Sequence, residues 1–317
     1  MGTQSDGGVA GRLRAPDRQE RVGQRLASNV TDVALVLEGG GMRASYSAGL
    51  LNLLLTEGIY LDWVGGISAG TTLMSNYLTR SPERVRHAFT DFVMDKDFAG
   101  WRHFARGRGL FNAEYIYQRS GLPGGPIPFA WDTFAANPAE LAIGGFNATT
   151  GETIYWGRAD ATTLDDLMIR VRASSTMPIL MPLVTIDGQV YADGALGHSG
   201  GIPLEAAQAA GYSRFLVVLT QERSYVKVPD GNERVLRRYF RNLPTIPNAI
   251  HERPARYNAV REEIFALEAA GQAHVFMPEH MTVNTGERSL DKLNASYAAG
   301  LAQARRELPA IKDFLGL

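Results

Sequence analysis

The chain contains no cysteine, which removes disulfides, thiolate zinc sites and cysteine nucleophiles together. The absence names no compartment, because reducing and oxidising ones both tolerate it. An excess of one charge is also lacking: 32 Lys and Arg stand against 33 Asp and Glu. Bulk nucleic-acid binding draws on a clear basic excess, so no nucleic-acid partner is expected. No stretch approaches the roughly 18 apolar residues of a membrane-spanning helix. Histidine is scarce, with six in 317 residues, and none is framed like a catalytic base. Residues 1–30 hold no apolar run and are rich in Gly, Arg, Gln, Ser and Asp, so a disordered leader rather than a secretory signal is expected there. The opening MGTQSD has Asp6 where N-myristoylation needs Ser or Thr. These absences together predict a soluble, cytoplasmic protein.

Glycine, by contrast, is plentiful, with 34 residues in a composition that is 45% hydrophobic and 21% charged. That composition and length suit one large α/β domain. From residue 33 onward strand-like and helix-like segments alternate. VALVL (33–37) reads as a buried strand, and 44–57 as a leucine-rich helix ended by Gly58. LDWVGGIS (61–68) is a second strand running directly into a helix. SPERVRHAFTDFVM (81–94) opens with a Ser cap and Pro in the first turn, a firm helix start. Residues 98–139 read as loop. Two hairpins follow: 139–156, and 183–194, where Asp187-Gly188 supplies a tight turn. Between them lies a helix over 163–173. Helix 203–210, strand 214–219, helices near 233–241 and 254–270, strand 273–277 and a helix from 288 complete the pattern. The expected fold is α/β, a mostly parallel central sheet with helices on both faces, in a single domain over 31–317 with a helical C-terminal part.

Three stretches carry chemistry. EGGGMR (38–43) puts three glycines at the mouth of the first strand, where the backbone must gain something that a side chain would block. The options are a phosphate cradle, an oxyanion hole or a crowded turn. GISAG (66–70) is a G-x-S-x-G between strand and helix. A sharp turn there would expose the Ser68 hydroxyl, with Gly66 and Gly70 relieving the crowding and the helix N-terminus adding a positive field. An ordinary small-residue turn is the plain alternative. YADGA (191–195) places Asp193 at the end of a hairpin strand. It is either a second turn residue or a desolvated base, provided that Ser68 lies within about 2.6–3.2 Å.

In this order the three motifs resemble the patatin-like phospholipases, whose members carry D/E-G-G-G-x-R, G-x-S-x-G and D-G-G/A. The resemblance runs from about Val33 at least through the 254–270 helix. It implies a three-layer sandwich and a Ser68–Asp193 dyad that needs no histidine. It also implies an oxyanion hole from the backbone of Gly39, Gly40, Gly41 and Met42, with Arg43 bracing the loop and adding charge. The implied reaction is acyl transfer to water from lipid esters, without cofactor or metal. This chain departs from the commoner pattern at Ala44, at GISAGT, and at DGALGHSGGIP (193–203), which bears on the shape of the pocket.

Three other readings stand beside this one. Gly39-x-Gly41-x-x-Ala44 fits a dinucleotide fingerprint, with Glu57 or Asp62 as the acidic partner. A histidine-triad esterase would use His274 or His280 as base. A family member that binds without catalysing is the third. For lipid contact, WRHFARGR (101–108) and RVLRRYFR (234–241) interleave aromatics with arginines. Basic groups near an anionic surface contribute about 1 kcal/mol each. Transient peripheral membrane contact is one reading of them, and a helix with a solvated basic face is the other.

Overall fold

The computed structural model describes residues 26–100, 109–229, 231 and 233–317. The expected leader falls almost wholly outside these residues, as does the 101–108 stretch.

In chain order the elements are β1 (Ala34–Leu37), α1 (Ala44–Thr56), β2 (Trp63–Ile67), α2 (Ala69–Leu78) and α3 (Pro82–Phe89). Next come α4 (Trp131–Ala136), β3 (Glu140–Asn147), β4 (Thr153–Trp156), α5 (Leu164–Ser174), β5 (Val184–Ile186) and β6 (Gln189–Asp193). The last are α6 (Leu204–Ala209), β7 (Phe215–Val218), α7 (Glu233–Tyr239), α8 (Thr245–Ala269), β8 (Ala273–Phe276) and α9 (Leu290–Leu315).

Two helices differ from expectation. The helix expected over 81–94 stops at Phe89, and a separate 3-10 turn covers Asp91–Met94. The Thr90 hydroxyl donates to the Arg86 carbonyl at 2.9 Å, taking the acceptor that a continued helix would give to its own N–H. The 254–270 helix begins nine residues earlier, at Thr245, and encloses Pro254. A proline inside a helix forfeits one ladder bond, so Pro254 resembles a start. The true start carries Pro247 in its first turn, where a missing N–H is harmless.

All eight strands form one sheet in the order β5-β6-β3-β2-β1-β7-β8, with β4 on β3. The pairs among β3, β2, β1, β7 and β8 are parallel; β3–β4, β3–β6 and β5–β6 are antiparallel. Strand alternation sorts the core onto two faces. Leu35, Leu37, Leu216 and Val218 pack with residues of α1, α2, α3 and α9. Ala34, Val36, Phe215 and Val217 pack on the other face with residues of α6 and α8. The fold is therefore a mixed α/β sandwich with helices on both sides of the sheet.

Two features of this topology position a site. From β1 the chain steps to β2 on one side and later to β7 on the other, so the carboxyl end of β1 is a switch point, where open α/β sheets bind ligands. The second feature lies on β3. Because β4 spans Ile143–Phe146 on one edge, β2 and β6 divide the other: Ile67 pairs with Gly144, and Asp193 with Gly145. The residue after Ile67 is therefore delivered to the end of β6.

Candidate active site

That residue is Ser68. It sits at φ 54° and ψ −125° between β2 and α2, a conformation that costs a non-glycine residue of order 1–3 kcal/mol. The turn closes only because its neighbours are small. A Cβ on Gly66 would stand 2.4 Å from the Gly70 carbonyl oxygen, and one on Gly70 would stand 2.3 Å from that of Leu37. The Ser68 N–H donates to Ser174 Oγ at 2.9 Å, and that hydroxyl passes the chain on to the Gly144 carbonyl. The helix N-terminus behind Ser68 supplies unpaired N–H groups and a positive field.

Ser68 Oγ donates to Asp193 Oδ2 at 2.8 Å. The other carboxylate oxygen accepts the Ala195 N–H at 2.9 Å, and the Asp193 N–H donates to the Thr176 carbonyl at 2.8 Å. Asp193 is 6% exposed. Burial raises its pKa above the ordinary carboxylate range; the Ala195 N–H, the positive charge of Arg253 and the Ser68 hydroxyl pull it back. Arg253 lies on α8, far along the chain, and nothing near Asp193 in sequence points to it.

The glycine loop meets this pair from β1. A Cβ on Gly39 would approach Ser68 Cβ and the Ile67 carbonyl to 2.9 Å. At Gly41 φ is +57°, and a Cβ would lie 2.4 Å from the Thr285 carbonyl. Of the amides expected to face an oxyanion, two are already engaged. The Gly39 N–H donates to the Gly201 carbonyl at 3.0 Å, and the Met42 N–H to the Thr285 carbonyl at 2.9 Å. Among the described residues the N–H groups of Gly40 and Gly41 meet no protein acceptor. Arg43 donates to Thr285 Oγ1 and, among the described residues, makes no ion pair. Below the loop Glu38, 2% exposed, accepts the Thr220 N–H at 2.5 Å and the Tyr257 hydroxyl at 2.8 Å. Thr220, Tyr257, Gly201 and Thr285 come from distant segments and escaped sequence reasoning. Glu38 was visible as the first letter of the motif.

Ser68 opens into a cavity of about 790 Å³ whose walls include Phe89, Phe92, Phe129, Ile116, Val171 and Met181. Tyr117 also lines it, from a π-helical turn at Glu114–Arg119. Burial pushes the pKa of its hydroxyl up to about 12, and the Asp193 charge adds to this. Among the described residues no group of three or more His, Asp or Glu could hold a metal.

The structure separates the rival site residues from this centre. No histidine among the described residues lines the cavity. His274, on β8, is level through Leu216 and Leu35 with Val64, three strands and roughly 14 Å from β2, at the wrong end of the strand to reach Ser68. It lies 3.9 Å from Glu307, whereas His280 is exposed beyond β8. The acids of the dinucleotide reading are at the wrong end too. Asp62 precedes β2 and accepts from Tyr212, and Glu57 ends α1 and pairs with Lys312. The 234–241 stretch is largely the helix α7. Leu236 and Phe240 pack inward, while Tyr239 is 65% exposed. Among the described residues no helix is long and apolar enough to cross a membrane.

The sheet thus brings a strained serine and a buried aspartate together at its switch point. A model of the patatin-like phospholipases matches residues 35–207, more than half of the sequence, and the chain belongs to that family. Membership supports lipid acyl hydrolysis as the general activity. Residues 243–316 match a second model, described as a domain of unknown function (DUF6363). The chain is 24% identical over 247 residues to the uncharacterized protein YjjU of Escherichia coli, covering 77% of this chain and 67% of that protein. It is 27% identical over 210 residues to lysophospholipase NTE1 of Mycosarcoma maydis, covering 60% of this chain and 10% of the relative's length. Among solved structures, VipD from Legionella pneumophila matches with a TM-score of 0.48 and 14% identity, over 88% of this chain and 67% of that one.

Proposed function

We propose that the protein is a serine acyl hydrolase of the phospholipase A or lipid-esterase type, working through a Ser68–Asp193 dyad. The observation that carries this reading is the 2.8 Å hydrogen bond from Ser68 Oγ to a buried carboxylate at the mouth of an apolar cavity. The Asp193 carboxylate takes the hydroxyl proton as Ser68 Oγ attacks the ester carbonyl. The tetrahedral oxyanion accepts from the N–H groups of Gly40 and Gly41, the two loop amides without a protein acceptor. Gly39, Met42 and Arg43 hold the loop instead. Collapse returns the proton to the leaving alcohol, and water deprotonated by Asp193 then frees the acid and restores Ser68. The acyl chain lies in the apolar cavity. No cofactor enters this sequence of steps.

The same reading takes residues 31–317 as one catalytic unit, cytoplasmic, and touching lipid surfaces transiently. The exposed Val226, Val228, Val235 and Tyr239 near the arginines of α7 suit such contact. Hydrolysis of p-nitrophenyl esters across chain lengths tests the centre. Wild type turns over, and Ser68→Ala and Asp193→Asn do not. Activity that survives both changes refutes the dyad.

A further inference from the structure

The cavity beyond Ser68 does not end in hydrocarbon. Ala69, Thr72, Ser75 and Asn76 line it, one stripe of α2. The eight residues from Ser68 to Asn76 rise roughly 12 Å along the helix. At that level stands Arg84, from the first turn of α3. Its Nε donates to Asn76 Oδ1 at 2.7 Å, and Nη1 reaches the Ile127 carbonyl and, at 2.7 Å, the Pro128 carbonyl. The guanidinium carbon lies 5.0 Å from the Phe129 ring centroid. Among the described residues Nη2 has no protein acceptor. Burial lowers the Arg84 pKa to about 10, and no carboxylate contributes to its field. It remains a cation at neutral pH. Beside it Asn76, 2% exposed, keeps its Nδ2 buried without a partner. An unfilled buried amide donor in an apolar cavity, beside a half-buried cation with no counter-charge, is costly unless a ligand brings an acceptor.

We propose that Arg84 and Asn76 form a second recognition point of the acyl site, binding a carboxylate at the far end of a medium-length acyl chain whose ester carbonyl lies at Ser68. This rests on the reading of Ser68 as the nucleophile. At about 1.3 Å of extended chain per carbon, from bonds of about 1.5 Å, a 12 Å span fits an acid of eight to ten carbons. The preferred substrates are then esters of acids with an oxidised tail, and unmodified fatty acyl esters are second best.

The test compares p-nitrophenyl decanoate with the mono-p-nitrophenyl ester of sebacic acid, in wild type, Arg84→Met and Asn76→Asp. Wild type favours the sebacate ester in kcat/KM. Either substitution lowers the ratio of the two kcat/KM values by about 10- to 100-fold, as expected for losing a charge-assisted contact. Arg84→Met also removes a clamp on the 127–128 loop. Asn76→Asp keeps an acceptor for Arg84 Nε while neutralising the charge, so it decides the matter if Arg84→Met does not fold. An unchanged ratio, or a wild type that prefers decanoate, overturns the proposal. If wild type hydrolyses neither ester, the reading of Ser68 fails separately. Calorimetry of monomethyl sebacate against methyl decanoate, which has no free carboxylate, on the Ser68→Ala protein then reads the subsite without turnover. Tighter sebacate binding that Asn76→Asp abolishes supports it, and equal binding overturns it.

Discussion

The strain at Ser68 can be measured apart from its chemistry by comparing Ser68→Gly with Ser68→Ala. Both variants lose the Oγ hydrogen bond to Asp193, so that loss cancels between them. They differ at the backbone. Alanine must still adopt φ 54° and ψ −125°, which stores about 1–3 kcal/mol, whereas glycine enters that region freely. Glycine also has more freedom to lose from the unfolded chain, which costs about 0.5–1 kcal/mol. The balance makes Ser68→Gly more stable than Ser68→Ala by up to about 2.5 kcal/mol. With an m-value near 3 kcal/mol/M in urea, the unfolding midpoint moves up by as much as roughly 0.8 M, readable by circular dichroism. Both variants lose ester hydrolysis by more than about a thousandfold. If Ser68→Ala is the more stable by the full glycine cost of about 0.5–1 kcal/mol, the turn holds no strain, and its φ reflects only the positions of its neighbours.

Acid should affect activity and stability in opposite directions. Burial raises the Asp193 pKa above the ordinary range, so kcat/KM falls on acidification at a midpoint above the value of a free aspartate, about 3.9, as the base is protonated. The folded state binds that proton more readily than the unfolded one, so the Asp193 contribution to stability rises as pH drops through the same interval. Asp193→Asn is accordingly inactive and, at neutral pH, more stable by thermal denaturation. A Glu38→Gln protein loses one acceptor for the Thr220 N–H or the Tyr257 hydroxyl. It should be destabilised by about 1–3 kcal/mol, with the kinetic loss in kcat rather than KM; an unchanged melting curve would argue against the brace. Gly70→Ala puts a methyl 2.3 Å from the Leu37 carbonyl. It should cost 3 kcal/mol or more in chemical denaturation, the upper end of about 1–3 kcal/mol for overpacking, because backbone cannot yield as a side chain does. Anionic vesicles should sediment the wild-type protein, and Tyr239→Asp should weaken that binding.

The parts of the site that were legible in the sequence are those made by neighbouring residues. Gly66, Ser68 and Gly70 announce a tight strand-to-helix turn because crowding within five residues is a local matter. The Asp187-Gly188 turn was legible for the same reason: both residues adopt positive φ, 51° and 77°. The glycine loop was only half legible. Its three glycines signalled that a Cβ was excluded, but not by what, since the atoms that exclude it belong to Ile67 and Ser68 at Gly39, to Thr220 at Gly40 and to Thr285 at Gly41. Hence all four amides of Gly39–Met42 seemed equally available, and only the placement of Gly201 and Thr285 shows two of them engaged. Helix α8 was mislaid because Pro254 reads locally as a beginning. Its buried place inside the helix depends on packing that no window of sequence contains.

The distant segments also show why the site needs the whole sheet. Ser68 and Asp193 meet because β2 and β6 share one edge of β3, one ending at Gly144 and the other at Gly145. The pairings and hydrogen bonds that join them directly are made by residues between 63 and 195. The charge and loop support around them come from later segments: Arg253 and Tyr257 lie on α8, and Thr285 precedes α9. The first two motifs and Asp193 thus supply the hydrogen-bonded Ser68–Asp193 pair, while the 243–316 segment helps to fix the glycine loop against it and tempers the aspartate. A change at Thr285 that removes the Arg43 contact should therefore leave the Ser68–Asp193 hydrogen bond in place and still slow turnover, because the donors would no longer be held where charge develops.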